Sequence, residues 1–450
     1  MAESLLRLDI EDLLDTAISN KDVSSVSVVI HTTDDDIVPT FFDTFVVTRD
    51  YVRNVTDYIV IEMDLGLGDM YYDVYPNRGN LELSLTFKNR DKEGEEYSYT
   101  ERYKAVLINL SHNMDNPLYA KSSQEELNQS VIGKLCVQCY LREYEAIRNL
   151  PSVCNASMST VQKAMELVLS RSTIGKDIKI DGNTLEYNLD IREPDNKEVY
   201  TKIQVETEGT IPTLLNFPSY LQAQKGIYNG HIGTYIQRYT KKNEGSKTLF
   251  VYPLIDTELF DHSDNNCIIY LPVDLMISKF ADKTYYQDGD TLKILAADIN
   301  RSKDTAKYEV LDKGSGIAYS HPREILSRGM IQLDEKGNAN YDRNKSVQQQ
   351  DLGTLEDGTT NILYKGMSTN NFISRSYILE NDLVYMDLRW NCSNPDLIYP
   401  GMPVNVYKEE LNKEVTVYTG NILKTFTLYT QMSKTFTTSI TMSLKKKEKK

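Results

Sequence analysis

The last folded stretch of the chain, residues 396–444, has a clear alternation of hydrophobic and polar positions. Two runs within it, 415–428 and 434–444, are rich in Val, Ile, Thr, Phe and Tyr, which suit a pleated, half-buried surface. In the second run, mostly apolar residues alternate with Thr or Ser: Phe436, Thr438, Ile440, Met442 and Leu444. A period of two with one apolar side predicts strands that bury one face and expose the other to water or a partner.

A Pro-Gly pair lies ahead of these runs, at Pro400 and Gly401. Proline presets φ and glycine accepts a positive φ, so the pair predicts a tight turn before a strand. We therefore expect a closing β-meander, with Phe436, Ile440 and Met442 in a core and the Thr-rich face toward a channel or a neighbour.

The same period of two runs through residues 23–139. Groups rich in Asp, Asn, Gly and Pro separate the apolar runs at 34–36, 76–80 and 90–94. The strands predicted in this way are 26–30, 41–47, 58–63, 81–87, 96–110 and 135–141. Strands of this length and spacing indicate a sandwich or a barrel.

Helical patterns appear next. Residues 159–162 have the spacing of a capping box and precede an apolar stripe of Val161, Met165, Val168 and Leu169. A second helix is predicted to begin near Pro218 and to end at Gly226. At the start of the chain, residues 3–19 place their apolar side chains on one stripe, which predicts an amphipathic helical arm. That arm would dock on its own domain or on a neighbouring subunit.

Strand patterns return at 248–255, 266–271, 291–300 and 376–390, whereas residues 302–375 are polar with few apolar runs. The predicted fold class is mainly β with an α+β insertion. The predicted parts are an N-terminal helical arm (1–22), a first β domain (23–145), an α+β insertion domain (146–248), a second β domain (249–444) with a long loop excursion at 302–375, and a basic disordered tip (445–450).

Composition narrows the classes of function. The chain has 450 residues and a net charge of −15, which argues against a surface that grips the nucleic-acid backbone. It has 31 Tyr but 11 Phe and one Trp, a usage that fits either subunit interfaces or polar sheet faces. Long apolar runs and a basic, apolar export signal are not visible, so we expect no membrane insertion. The five scattered cysteines fit cytosolic synthesis with reduced thiols.

Motifs that carry chemistry are weak. Cys136 and Cys139 have C-x-x-C spacing, but they lie in a strand-like run without a second ligand pair, so we interpret them as structural. Residues 261–264, 34–36 and 288–290 are interpreted as polar turns, and Gly66 and Gly68 lack the third glycine and the following helix of a dinucleotide site. G-x-S-x-G, Walker and H-E-x-x-H motifs do not occur. We therefore predict no catalytic, cofactor-binding or metal-binding residues and no enzymatic activity.

Two stretches carry a resemblance to a known family. Residues 399–406, Tyr-Pro-Gly-Met-Pro-Val-Asn-Val, precede the strands of 415–444, and residues 211–239 lead from a short helix to an aromatic-rich strand. In these the chain resembles the central baseplate hub protein of contractile-tailed phages and the related hub module of type VI secretion spike proteins. The resemblance implies that both β domains are tail-tube-like β-barrels.

It also implies a homotrimer whose six barrels form a pseudo-sixfold ring. Such a ring adapts the symmetry of the sixfold tail tube to that of the threefold spike in a contractile injection system and leaves a channel for genome ejection. The implied partners are the chain itself, the tail tube protein and the central spike protein, with the tape measure protein and the baseplate wedge proteins as further candidates. DNA would be present only in transit, through a lining that repels phosphates.

The implied location is the virion, in the tail baseplate, after assembly in the host cytoplasm. Two alternatives remain open at this point. In the first alternative, the chain is another tail-tube-type virion subunit. In the second, it is a β-rich enzyme or binding protein that acts on cell-wall glycans. The 65 Asp and Glu residues allow many carboxylate pairs for glycoside chemistry, and nothing singles one out.

Overall fold

The computed structural model of the chain describes residues 18–19, 23–33, 35–51, 54–91, 93–108, 124–152, 154–170, 179–180, 183–184, 187–205, 211–228, 232–238, 247–254, 267–272, 283–289, 291–301, 308–312, 317–320, 325–328, 331–333, 339–341, 348–351, 361–364, 383–409 and 414–447.

Antiparallel strands dominate the chain up to residue 152, and all but β1 and β3 are seven residues or longer. They are β1 (Ile18–Ser19), β2 (Ser25–His31), β3 (Asp36–Ile37), β4 (Phe41–Arg49), β5 (Tyr58–Gly66), β6 (Glu82–Arg90), β7 (Glu96–Leu107) and β8 (Ile132–Leu141). The helices are α1 (Leu67–Asp69), which continues as a π-helical turn at Met70–Val74, α2 (Gln124–Ser130) and α3 (Arg142–Ile147). Burial alternates strictly along β5 and β6, which confirms the predicted period of two there.

Residues 154–254 combine short strands with amphipathic helices. The strands are β9 (Asn155–Ser159), β10 (Lys179–Ile180), β11 (Asn183–Thr184), β12 (Tyr187–Ile191), β13 (Tyr200–Gln204), β14 (Ile232–Arg238) and β15 (Lys247–Pro253). The helices are α4 (Val161–Leu169) and α5 (Phe217–Lys225), the latter preceded by a 3-10 turn at Leu214–Asn216. Residues 154–254 thus mix α and β elements, and we refer to this segment as the insertion.

Both helices occur where the sequence predicts them. The stripe of α4 is fully buried, and α5 ends at Gly226, whose φ is 72°. The N-cap of α4, however, is Thr160 rather than Ser159: the Thr160 hydroxyl accepts a hydrogen bond from the Lys163 amide at 3.4 Å. Ser159 is unavailable as a cap because it belongs to β9, where it pairs with Tyr200.

The remaining chain is again built of strands. They are β16 (Cys267–Leu271), β17 (Lys283–Asp288), β18 (Thr291–Leu295), β19 (Ala297–Arg301), β20 (Tyr308–Asp312), β21 (Ile317–Ser320), β22 (Ile325–Arg328), β23 (Ile331–Leu333), β24 (Ala339–Tyr341), β25 (Gln348–Asp351), β26 (Asn361–Tyr364), β27 (Val384–Trp390), β28 (Pro403–Glu409), β29 (Val415–Thr430) and β30 (Thr435–Lys446). A 3-10 turn at Pro395–Leu397 precedes β28. The chain is therefore mainly β, as predicted.

Sixteen strands form one continuous sheet. Its main path runs β1-β17-β18-β16-β28-β29-β4-β5-β8-β7-β6-β2-β3, and β30, β27 and β19 extend from the other side of β29. We call β2–β8 the first β unit, and β16–β19 with β27–β30 the second β unit. All strand pairs of the two units are antiparallel except those of β16, which lies parallel to both β18 and β28.

Strand β29 joins the two units. Its first half, residues 415–421, pairs with β28, whereas residues 425–429 pair with β4 of the first unit. On its other side, β29 pairs with β30 along both halves. Strands β29 and β30 form a hairpin in which Gly420 lies very close to the backbone of β30. A Cβ built on Gly420 would be 1.9 Å from the carbonyl oxygen of Ser443.

Two hydrophobic cores meet along the same hairpin. Tyr429 and Phe436 pack into the core of the first unit and the insertion, while Ile440 and Met442 pack into the core of the second unit. The face that the sequence assigns to a core is therefore buried as expected. The hairpin is not the wall of the second unit alone, because its two ends serve different cores.

Three predictions about the less regular segments need correction. Ile18 and Ser19, the end of the predicted helical arm, form β1 against β17, because Ile18 packs on the second core; residues 1–17 lie outside the described part. Lys445 and Lys446 of the predicted disordered tip continue β30 opposite Thr419 and Tyr418.

The third correction concerns residues 302–375. Where a loop excursion is predicted, the structure pairs short strands into a five-stranded sheet, β25-β22-β21-β20-β26, and a separate hairpin, β23-β24. These strands span only three to five residues each, which is too short to produce a clear alternation in the sequence. Among the described residues, no helix has the length and apolar content needed to cross a membrane.

Candidate functional site

The structure separates the residues of the weak sequence motifs. Cys136 and Cys139 lie three positions apart on β8, so Cys136 is half-exposed on one face and Cys139 is buried on the other. Burial raises the pKa of both thiols, and they do not face a common ligand. Across the described ranges, no group of three His, Cys, Asp or Glu residues has the arrangement of a metal site.

The predicted polar turns are only partly within the described residues. Asp35 and Asp36 lie in the β2–β3 hairpin, and Asp288 and Gly289 in the β17–β18 turn, while Asp34, residues 261–264 and Asp290 lie outside. After Gly66, a helix does follow strand β5, contrary to the prediction, since α1 begins at Leu67. Helix α1 is three residues long and contains Gly68 itself, so only Gly66 precedes it and the dinucleotide pattern remains incomplete.

One hydrogen-bonded relay on the first unit was not predicted. His31 Nδ1 lies 2.6 Å from Asp36 Oδ1, and its Nε2 lies 2.6 Å from Ser84 Oγ. The order Ser-His-Asp is that of a hydrolase triad. Ser84, however, sits in the middle of β6, which is paired on both sides by β2 and β7, so its own amide belongs to the sheet and is not available to an oxyanion. The relay therefore ties the β2–β3 hairpin to β6.

A buried polar cluster lies where the two units meet. Arg49, at the end of β4, is buried and binds Asp57 through Nε at 3.1 Å. Its Nη1 donates to the carbonyl oxygens of Pro395 at 2.5 Å and Ile398 at 3.3 Å. One guanidinium thus links the first unit to the segment that precedes β28.

Asp396 of that segment receives hydrogen bonds from two tyrosines of β7. The hydroxyl of Tyr97 donates to Asp396 Oδ2 at 2.8 Å, and that of Tyr99 donates at 3.1 Å. Arg49 Nη2 lies 3.6 Å from Asp396 Oδ1. Beside it, Asn394 donates to the carbonyl oxygen of Arg90 at 2.6 Å. The carboxylate is held by donors of the first unit, which fixes the turn that leads into β28.

The insertion reaches the same place through stacked aromatic rings. Tyr235 of β14 stacks on Tyr51 of the first unit, with ring centroids 4.0 Å apart and planes 1° from parallel. Tyr252 of β15 meets Tyr235 edge-on at 5.3 Å and donates to the carbonyl oxygen of Pro400 at 2.7 Å. Its ring also lies against Gly401, where a Cβ would be 2.1 Å from Tyr252 Cε2. The first unit, the insertion and the Pro-Gly turn therefore converge at one place. We call its buried side chains the tyrosine junction: Arg49, Tyr51, Asp57, Tyr97, Tyr99, Tyr235, Tyr252 and Asp396.

The electrostatics of the tyrosine junction favour neutral tyrosines and a charged arginine. Burial, followed by the nearby carboxylates Asp57 or Asp396, raises the pKa of Tyr51, Tyr97 and Tyr99 well above the ordinary value. Burial opposes the charge on Arg49, but Asp57 and its neighbours outweigh it, so the pKa of Arg49 is raised. Hydrogen bonds from Arg49 and Tyr51 occupy Asp57, and those from Tyr97 and Tyr99 occupy Asp396, so both carboxylates hold segments of the chain together.

A second buried ion pair fastens the insertion to the first unit. Lys247, at the start of β15, lies 2.5 Å from Glu101 of β7, and its side chain is 5% exposed. Glu143 of α3 lies nearby, where burial raises its pKa and the charge of Lys247 partly offsets the rise. Removing one partner of such a pair leaves a buried charge, which costs about 3–5 kcal/mol.

Sequence reasoning missed these residues, although one signal was present. Phe45, Val47 and Arg49 share a phase on β4, so extending the alternation by one step places Arg49 on the buried side. Its partners could not be found this way, because Asp57 is eight residues away and Asp396 is 347 residues away.

No known sequence family matches the chain, and no curated protein does. Solved structures do match. The tail protein from Neisseria meningitidis MC58 is 9% identical over 93% of this chain and 96% of that one, with a TM-score of 0.44. The 43 kDa tail protein of prophage MuSo2 from Shewanella oneidensis is 10% identical over 93% and 98%, also at 0.44. A Francisella PdpA–VgrG complex is 8% identical over 96% of this chain and 60% of that one, again at 0.44.

Tail proteins, one of them from a prophage, and a VgrG complex are thus among the solved structures that this chain resembles.

Gly401→Ala should destabilise the protein by more than about 2 kcal/mol, because it adds the strain of a left-handed alanine to a clash with Tyr252. The matched control is Gly289→Ala: Gly289 also has a positive φ, 56°, but nothing lies within 4 Å of its Cβ position. The control should lose only about 1 kcal/mol. Urea unfolding of both variants measures the difference, and equal losses would show that the Tyr252 contact is unimportant.

Alkaline pH should unfold the protein through the tyrosine junction. The raised pKa values of Tyr51, Tyr97 and Tyr99 mean that these groups stay protonated in the folded state after they ionise in the unfolded state, near pH ~10. Their contribution to stability is therefore complete below about pH 10 and declines as pH rises further. Phenolate absorbance should show one group of tyrosines titrating near pH ~10 and a second ionising together with loss of circular dichroism. Ionisation of all tyrosines in an intact fold would contradict this.

Proposed function

We propose that the chain is a structural tail protein of the baseplate-hub type. Three copies would form a pseudo-sixfold ring that joins the sixfold tail tube to the threefold spike and leaves a channel for DNA. The tail tube and spike proteins would be its direct neighbours, with the tape measure and wedge proteins around them. The protein would be part of the virion after assembly in the host cytoplasm.

One observation carries the proposal. The Pro400–Gly401 stretch, through which the sequence resembles the hub family, lies at the point where the first unit, the insertion and the strand before the closing hairpin converge. A chain whose parts are locked together by buried hydrogen bonds and stacked rings suits a rigid adaptor that transmits load between assemblies.

Two further features support a structural role. In the described part, the polar groups of the tyrosine junction and of the Lys247–Glu101 pair bind groups in other segments of the chain. The net charge of −15 fits a channel through which DNA moves without being bound, because fixed negative charges repel the phosphates.

Imaging of the purified full-length chain by cryo-electron microscopy, viewed down its axis, tests the proposal directly. We expect three copies around an open channel, and no hydrolysis of peptidoglycan. A chain that ends at Gly420 is the negative control, because it lacks β30 and the half of β29 that pairs with β4. It should neither fold its second unit nor form rings.

Other outcomes would point to the other classes. Sixfold tubes formed by the chain alone would identify a tail-tube subunit. A monomer that clears peptidoglycan would identify a glycan-acting enzyme.

A further inference from the structure

The end of strand β30 carries three consecutive lysines that are all exposed to solvent: Lys445, Lys446 and Lys447. Lysine occurs twice more in the sequence just beyond them, with one glutamate between, so residues 445–450 have a formal charge of +4. The whole chain has a formal charge of −15, which leaves −19 for residues 1–444. A compact basic cluster thus lies in an otherwise acidic protein. We call Lys445, Lys446 and Lys447 the basic edge.

Sheet pairing holds the basic edge in a fixed arrangement. Lys445 and Lys446 continue the antiparallel ladder with β29. The amide of Lys447 donates to the carbonyl oxygen of Val417 at 2.9 Å. Because side chains alternate along a strand, Lys445 and Lys447 share one face, with Cα atoms about 7 Å apart, and Lys446 lies on the other. Ordering like charges side by side opposes their mutual repulsion, so this arrangement becomes more favourable when an anion binds between them.

The basic edge extends beyond the strand that covers the other side of β30. β27 begins at Val384, which lies opposite Leu444, so its ladder stops one residue before Lys445. In the described part of the chain, the basic edge therefore pairs with β29 alone. A strand edge of this kind offers backbone N–H and C=O groups to which an extended peptide can add as a further strand.

The carboxylates near the basic edge are too few to neutralise it. The described residues at the ends of β28, β29 and β30 contain four lysines and two glutamates: Lys408, Lys445, Lys446, Lys447, Glu409 and Glu414. On other exposed strand faces, lysines form ion pairs across the sheet, as Lys88 does with Glu96 at 2.8 Å. Within the described residues, no such pair involves Lys445 or Lys446. The positive charge of this end is therefore available to a partner.

The partner that fits the basic edge is anionic and extended. Lysine ammonium groups bind carboxylates and phosphates as point charges. A nucleic acid would have to run over many phosphates along a surface whose remaining charge is −19, and it has no peptide groups to pair with a strand. A peptide with acidic side chains meets both features at once, since its carboxylates face the lysines and its backbone pairs with β30.

We propose that the basic edge binds an acidic, extended segment of a partner protein. The segment adds beside β30, and its alternate side chains are carboxylates that meet Lys445 and Lys447. The spacings agree, because side chains two positions apart on a strand share a face at about 7 Å. The proposal goes beyond the proposed function: it assigns a binding surface to the second unit and does not depend on ring formation.

Fluorescence anisotropy with the full-length chain tests this inference at low salt. The probe is a labelled peptide in which glutamate and threonine alternate, and its comparison is a peptide of the same composition with the glutamates in one block. We expect the alternating peptide to bind more tightly, because only its carboxylates match the lysines in register. Added salt should weaken the binding, since ion pairs at the surface are screened.

Lys445→Gln combined with Lys447→Gln removes the two charges on one face of the basic edge. Affinity for the alternating peptide should fall roughly 3- to 30-fold, because each exposed ion pair contributes up to about fivefold. The matched control combines Lys424→Gln with Lys434→Gln. Lys424 lies just past the β-bulge at which the register of β29 with β30 shifts after Ile422, and Lys434 lies in the turn between these strands; both are exposed. The control should bind like the wild type.

Circular dichroism shows whether each variant is folded, and Lys445→Gln alone decides the result if the double variant is not. The proposal is overturned if the wild type does not bind the alternating peptide, binds both peptides equally, or loses the same affinity in the control variant. Tighter binding of a short DNA duplex, weakened by the Lys445 and Lys447 changes, would assign the basic edge to nucleic acid and also overturn it. None of these results bears on ring formation, which imaging tests separately.

Discussion

The pairing of one strand with two different sheets is the constraint on which the architecture depends. Strand β29 forms ladders with β28 in its first half and with β4 in its second, and β30 follows it throughout. Each half is buried against a different core, so neither core is complete without the hairpin. Because buried backbone groups must be paired, the hairpin cannot leave one sheet without exposing its ladder groups and apolar side chains in the other.

The tyrosine junction fixes the segment from which β28, the partner of β29, begins. Arg49, Asp396 and the stacked rings of Tyr51, Tyr235 and Tyr252 hold the turn at Pro400 and Gly401 against the first unit and the insertion. Buried hydrogen bonds of this kind gain little net energy but are costly to break, so they select one arrangement of the segments over others. The proposed role as an adaptor between two assemblies requires specificity of this kind.

Local patterns predicted most of the elements, and long-range pairing accounts for what they missed. The strict alternation in β5 and β6, the buried stripe of α4 and the turn at Gly401 all follow from neighbours in sequence. The pairing of β29 with β4 joins residues 376 to 384 positions apart, from Thr425–Arg49 to Tyr429–Phe45, and no period in the sequence encodes it. The sequence could not predict the bulge after Ile422 either, because Thr425 and Phe426 fit a strand whichever of them faces the core. The site was missed for the same reason, since Arg49 and Asp396 are remote in sequence.

Native-state hydrogen exchange tests most directly whether the closing hairpin unites the two units. If it does, the slowest amides of β5 in the first unit, β28 in the second and the hairpin itself should exchange only through global unfolding, with one common free energy. The account is contradicted if the β5 amides keep their protection after those of β28 and the hairpin have exchanged. In that case the first unit would remain folded without β29, the strand that pairs with both units.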